Sequence, residues 1–138
     1  NKDQHQQGTN MFHVILEDSS NIHVQTRKHN YQYAIDGSKE NPLEATFAAL
    51  AGCAGVYALK YCKKHQLSAI GIKIQGKPYL DKMNPNMITK WVTEIEFPNH
   101  IDLVHQENII NEINQCAVKD LIQKGANVIF ETHKLNQG

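Results

Sequence analysis

Three cysteines, Cys53, Cys62 and Cys116, are the side chains of this sequence best suited to chemistry of their own. A thiolate can act as nucleophile and as reductant, provided something favours it over the thiol. The three are far apart and form no Cys-x-x-Cys pair. That spacing argues against a structural zinc site and against a secreted disulfide scaffold. Cys53 lies in a bed of small and apolar residues, Ala48-Ala-Leu-Ala-Gly-Cys-Ala-Gly-Val56. Free cysteine packs readily as a small hydrophobe, and an apolar surrounding leaves a thiol protonated and inert. To react, Cys53 needs a cation brought in from elsewhere. Cys116 lies on a second apolar stripe, and core packing is open for it too. Cys62 is nine residues beyond Cys53. On one helix that places it on the opposite side, roughly 13.5 Å further along, out of disulfide reach. Flanked by Lys60, Lys63 and Lys64, it suits a solvated helix end and is read as incidental.

Two charged residues stand out beside the thiols. The chain carries 14 basic and 14 acidic residues, and Arg27 is the only arginine. Arg27 closes an alternating segment on its polar face, where a solvated position is the ordinary reading. Glu44 follows Asn41-Pro42-Leu43, so it can complete a helix N-terminus and meet the positive end of the helix. The eight histidines form no H-x-H or H-E-x-x-H pattern, so no metal site is expected. Phosphate loops, dinucleotide fingerprints and serine nucleophile elbows are missing from the sequence.

The elements that must carry these residues follow from local patterns. Asn1 to Asn10 is polar and aperiodic and reads as a tail, leaving residues 11–138 as one domain, a fitting length for 138 residues. Met11 to Glu17, Ile22 to Arg27 and Tyr31 to Ile35 read as antiparallel strands joined by tight turns. Asn41-Pro42 opens a helix expected to run to about His65. Its small residues recur four apart (Ala48/Gly52, Ala51/Gly55, Ala54/Ala58), in rows where another helix can approach, so burial on most sides is expected. Ile70, Ile72 and Ile74 mark a strand, Lys77 to Pro85 a loop or hairpin, and Met87 to Phe97 another strand, with Trp91, Thr93, Ile95 and Phe97 on one face. A helix is expected from Val104 to Lys124, stopped by Gly125, and a last strand over Val128 to Glu131. The order β-β-β, long helix, β-β, helix, β is an α+β architecture. Charge neutrality and the lack of a basic-aromatic pattern argue against a nucleic-acid binder. No basic-then-apolar leader is seen, and no apolar run reaches the ~18 to 20 residues of a membrane span. A soluble cytoplasmic domain is the expectation.

The stretch Asn41-Pro-Leu-Glu-Ala-Thr-Phe-Ala-Ala-Leu-Ala-Gly-Cys53 resembles the signature of the OsmC/Ohr family, the osmotically inducible and organic hydroperoxide resistance proteins. Cys116-Ala117-Val118, followed by Leu121-Ile122, is similar to the family's second cysteine motif. The order of elements also fits from Met11 to Glu131. The resemblance implies an OsmC-like fold and an intertwined homodimer, with two long helices at the centre and active sites at the subunit interface. It implies that Cys53 attacks an organic hydroperoxide and becomes a sulfenic acid, that Cys116 resolves it to a disulfide, and that a dithiol such as a lipoyl group restores both thiols. No cofactor is implied. Arg27 and Glu44 become the candidate pair that holds Cys53 as thiolate. Glu44 and Cys53 are nine apart, so they face opposite ways on one helix. If both serve one site, Glu44 comes from the partner subunit. The carboxylate here is nine residues before the cysteine rather than ten, and Ala117 stands where the family often has proline. These features sit closer to the broad OsmC-like branch. A same-fold protein that binds or senses a hydrophobic ligand without turnover is the other reading.

Overall fold

The computed structural model describes residues 11–133. The tail expected over Asn1 to Asn10 lies outside the described residues. By its internal contacts the chain divides into two compact units, one ending at Ala48 and one starting at Ala49.

The first unit is a three-stranded antiparallel sheet and the start of a helix. Strands β1 (His13–Leu16), β2 (Asn21–Gln25) and β3 (Asn30–Ala34) pair in the order β1-β2-β3. Val14 faces Val24, and Val24 faces Tyr31. β-branched and aromatic pairs of this kind stabilise a ladder by a few tenths of a kcal/mol to about 1 kcal/mol each. The β2–β3 connection is organised by Thr26: its hydroxyl accepts the backbone N–H of His29 at 3.0 Å and of Lys28 at 3.3 Å, and its own N–H donates to His29 O at 2.8 Å. The strand expected to reach Arg27 therefore stops at Gln25, because the Thr26 hydroxyl offers the backbone a turn in place of the ladder.

Helix α1 (Pro42–Lys64) begins where the Asn-Pro signal puts it. Asn41 Oδ1 accepts the Glu44 N–H at 2.9 Å, and Pro42, lacking an N–H, costs nothing in the first turn. The helix closes at Gln66, whose φ of 57° lets Leu67 N–H reach Cys62 O at 2.8 Å. Contrary to the expectation from the sequence, α1 is long and apolar enough to cross a membrane by length and composition alone.

In the second unit, β4 (Lys73–Leu80) and β5 (Ile88–Glu96) form an antiparallel ribbon. β4 extends through Lys77-Pro78, which the sequence suggested was loop. A two-stranded ribbon leaves one edge of β4 unpaired, where a proline removes no ladder bond. Helix α2 (Leu103–Ile113) is capped by Asp102, whose side chain accepts the His105 N–H at 2.9 Å. Helix α3 is Ala117–Lys124. The single helix expected over Val104 to Lys124 is thus broken at Asn114-Gln115-Cys116. Here Asn114, the C-cap of α2, donates its N–H to Ile110 O at 3.0 Å, and Cys116 becomes the N-cap of α3. The last strand expected at Val128 to Glu131 does not form. Val128, Ile129 and Phe130 are exposed, Phe130 at 91%. Their β-propensity is met by no neighbouring strand among the described residues.

The core of the second unit joins Ala58, Tyr61 and Cys62 of α1 to Ile101 and to Ile109 of α2. Burying each large aliphatic side chain of this set contributes roughly 1.5–3 kcal/mol. Cys62 is fully buried here, at 0% exposure, contrary to the solvated end its lysine neighbours suggested. Those lysines point away from the stripe that Cys62 shares with Ala58. Tyr61 ties the same interface by polar contacts. Its hydroxyl lies 2.7 Å from His105 Nδ1 and accepts from Asn108 Nδ2 at 3.2 Å. α1 buries Leu50, Ala54, Ala58, Tyr61 and Cys62, a single face rather than most sides. Gly52, Val56 and Leu59 are exposed, and a Cβ placed at Gly52 or Gly55 would meet nothing within 4 Å.

Candidate functional site

Cys53 and Cys116, 63 residues apart in sequence, are joined as a disulfide, with Cα atoms 6.2 Å apart. That separation is within the ordinary range for such a bond. Two features of the fold bring them together. Cys53 is one residue before buried Ala54, on the side of α1 that the second unit covers, and it is itself half-buried. The α2–α3 break turns Cys116 out of a helical row and makes it a helix cap. Cys116 is 3% exposed.

The turn that presents Cys116 is held by one lysine. Lys119 donates its backbone N–H to Cys116 Sγ at 3.4 Å. Its ammonium donates to Asn114 O at 2.6 Å and Asn114 Oδ1 at 3.2 Å, and lies 3.2 Å from Asp120 Oδ1. A sulfur at a helix N-terminus also meets the positive end of the helix dipole.

Next to Cys116 is a pocket of about 700 Å³. Leu50 and Ala54 of α1, Trp91 and Ile95 of β5, Ile113 of α2 and Cys116 are among its lining residues. Thr93, Asn114 and Lys119 supply polar groups. Such a space, apolar with a few polar atoms and of this volume, suits a small organic molecule. The Trp91 indole crosses β4 at Gly76, where its ring atoms occupy the place a Cβ would take. Trp91 Nε1–H donates to Thr93 Oγ1 at 2.9 Å, which fixes the ring further. The alternation of Trp91, Thr93 and Ile95 pointed to one face in the sequence. Lys119 and the role of Gly76 had no sequence signal apart from Lys119 standing three after Cys116.

Cys62 is the free cysteine among the described residues. Burial pushes its thiol above the ordinary value. Arg27 and Glu44 belong to the first unit. Arg27 is exposed in the Thr26–His29 turn, and Glu44 is exposed in the first turn of α1. Among the described residues no group of three His, Cys, Asp or Glu side chains is close enough to hold a metal ion.

No family model and no curated protein sequence matches this chain. Solved structures do. A hypothetical protein from Aquifex aeolicus VF5 is similar with a TM-score of 0.68 at 16% identity, over 87% of this chain and 91% of that one. An OsmC-like protein from Mycoplasma pneumoniae is similar at 0.63 and 14% identity, over 86% and 89%. A protein from Psychrobacter arcticus 273-4, named for osmotic stress induction and a detoxification response, gives 0.63 and 14%, over 80% and 86%. At these identities the likeness concerns the fold. The chain has an OsmC-like α+β fold, with antiparallel sheets and three helices among the described residues.

Proposed function

We propose that this protein is a thiol-dependent peroxidase that reduces organic hydroperoxides in defence against oxidative stress. The observation that carries the reading is the Cys53–Cys116 disulfide, whose Cys116 end lines an apolar pocket. In the reduced protein the Cys53 thiolate attacks one oxygen of R–O–O–H. The O–O bond breaks, an S–O bond forms, and the alcohol leaves with a proton. Sulfur gives up two electrons and Cys53 becomes a sulfenic acid. The Cys116 thiol then attacks that sulfur, an S–S bond forms and water leaves. A dithiol such as a lipoyl group reduces the disulfide by exchange through a mixed disulfide. Apolar walls favour an alkyl or aryl hydroperoxide over hydrogen peroxide.

Arg27 and Glu44 are the proposed activating pair. A guanidinium favours the thiolate in an apolar site, and a carboxylate holds the guanidinium in bidentate geometry. Helical geometry requires Glu44 to come from a second copy if it serves the same thiol as Cys53 on one helix. A homodimer with active sites at the subunit interface fits the exposed side of α1, with Val56 49% exposed and Gly52 open. It also fits the exposed apolar segment Val128 to Phe130. Cytoplasmic residence agrees with reduced thiols that cycle rather than staple, and neither membrane nor nucleic acid has a part in this reading.

Catalysis tests it. Wild-type protein with a lipoyl dithiol should consume cumene hydroperoxide, and Cys53→Ser should not. Equal consumption by both removes Cys53 as the reacting thiol. Val56→Lys should turn a dimer into a monomer by light scattering; a monomeric wild type removes the interface site.

The pocket also favours a second reading, a same-fold protein that binds or senses a hydrophobic ligand. It predicts ligand binding with no hydroperoxide consumption by the wild type.

A further inference from the structure

We infer that Lys119 is a positioning residue for Cys116: it sets how fast the second thiol closes on oxidised Cys53. The inference rests on the proposed peroxidase reading and deepens it.

Lys119 holds both sides of the Cys116 turn. Behind the cysteine, its ammonium binds the Asn114 carbonyl at 2.6 Å and the Asn114 side-chain oxygen at 3.2 Å. Ahead of it, the Lys119 N–H points at Cys116 Sγ. Asn114 ends α2 and Lys119 lies in the first turn of α3. The ammonium thus bridges the helix break. Asp120 Oδ1 lies 3.2 Å from the ammonium, so the charge is balanced locally and the contact to Asn114 is geometric. The consequence is directional. A loose 114–116 turn would let the Cys116 Cα–Cβ bond swing away from α1. Closing a disulfide needs the sulfurs in line, and small displacements of a reacting group cost rate steeply.

The closing step is Cys53–SOH plus Cys116–SH giving the disulfide and water. It separates in time from sulfenic acid formation. Reduced protein would be mixed with one equivalent of cumene hydroperoxide and sampled by quench. Dimedone traps the sulfenic acid and mass spectrometry counts the disulfide. Once the sulfenic acid has formed, Lys119→Met should close roughly tenfold more slowly than wild type, with the Cys53 dimedone adduct rising in proportion. Lys119→Arg, which keeps a donor for Asn114, should restore most of the rate. Asn114→Ala, which removes one of the two acceptors, should slow closure less than Lys119→Met. A fold-stabilising role alone would lower the melting temperature and leave the split between the two steps unchanged. Closure in Lys119→Met within twofold of wild type, or no rescue by arginine, overturns the inference. Absence of any Cys53 adduct in Cys116→Ser would instead overturn the peroxidase reading beneath it, so the two failures are distinguishable.

Discussion

Cys116 caps helix α3 with its sulfur, accepting the Lys119 N–H at 3.4 Å, while the same sulfur is bonded to Cys53 of α1. One atom therefore ends a loop of 63 residues and starts a helix. In the chain-entropy account, a link across that many residues stabilises the folded protein by at most about 4 kcal/mol. The oxidised protein should melt above the reduced protein in a calorimetric scan. Cys116→Ser should melt at the same temperature with and without reductant. Equal melting of oxidised and reduced wild type would contradict the bond as a link between α1 and the α2–α3 turn.

Gly76 lies under the Trp91 ring, and a side chain there would push the indole off β4. Trp91 forms a wall of the pocket. Gly76→Ala should change the pocket more than the thiols. We expect KM for cumene hydroperoxide to change several-fold while the rate of sulfenic acid formation with hydrogen peroxide is unchanged. A shift in Trp91 fluorescence should accompany it. Unchanged fluorescence and unchanged KM would show that the indole is not held there.

Cys62 should remain a spectator. Its burial keeps the thiol protonated at neutral pH. Native protein should alkylate at Cys62 only as fast as it unfolds, which iodoacetamide labelling with and without denaturant measures. The linkage sign follows from the raised value: the unfolded chain releases this proton first. Stability from this group is full below the ordinary thiol pKa and falls as pH climbs past it. Cys62→Ser places a hydroxyl in an apolar core and should cost roughly 1–3 kcal/mol in urea titration. Cys62→Ala leaves peroxide turnover unchanged. Rapid labelling of Cys62 in folded protein would contradict its burial.

Much of this was readable from local pattern. The α1 start needed only Asn41 and Pro42, because caps act within a turn. Strands β1 to β3 followed from alternation. The readings that missed depended on non-local facts. Ile109, Ile113, Cys116, Ala117 and Leu121 keep a helical spacing across Asn114-Gln115, so the stripe looks continuous although the backbone turns. Val128 to Phe130 has strand composition, but a strand exists only when another supplies its ladder. Pro78 reads as a breaker until β4 is known to have an unpaired edge. The Cys53–Cys116 pairing was legible only through resemblance, since spacing alone left both thiols in the core.

Arg27 provides a sharp test of the activating pair. It is exposed in the Thr26 turn, so replacement should not disturb folding. Arg27→Lys keeps the charge but loses the planar fork. If the guanidinium favours the Cys53 thiolate, the rate with cumene hydroperoxide at pH 7 should fall by roughly tenfold or more, and the pH midpoint for Cys53 alkylation should rise. Glu44→Gln should act in the same direction and more weakly. Wild-type rates in Arg27→Lys would remove the arginine from the site.

The most direct measurement treats the fully reduced protein with one equivalent of cumene hydroperoxide and maps every thiol by mass spectrometry. The account predicts a single product, the Cys53–Cys116 disulfide, with Cys62 still free. Survival of all three thiols, or a disulfide that includes Cys62, would contradict it.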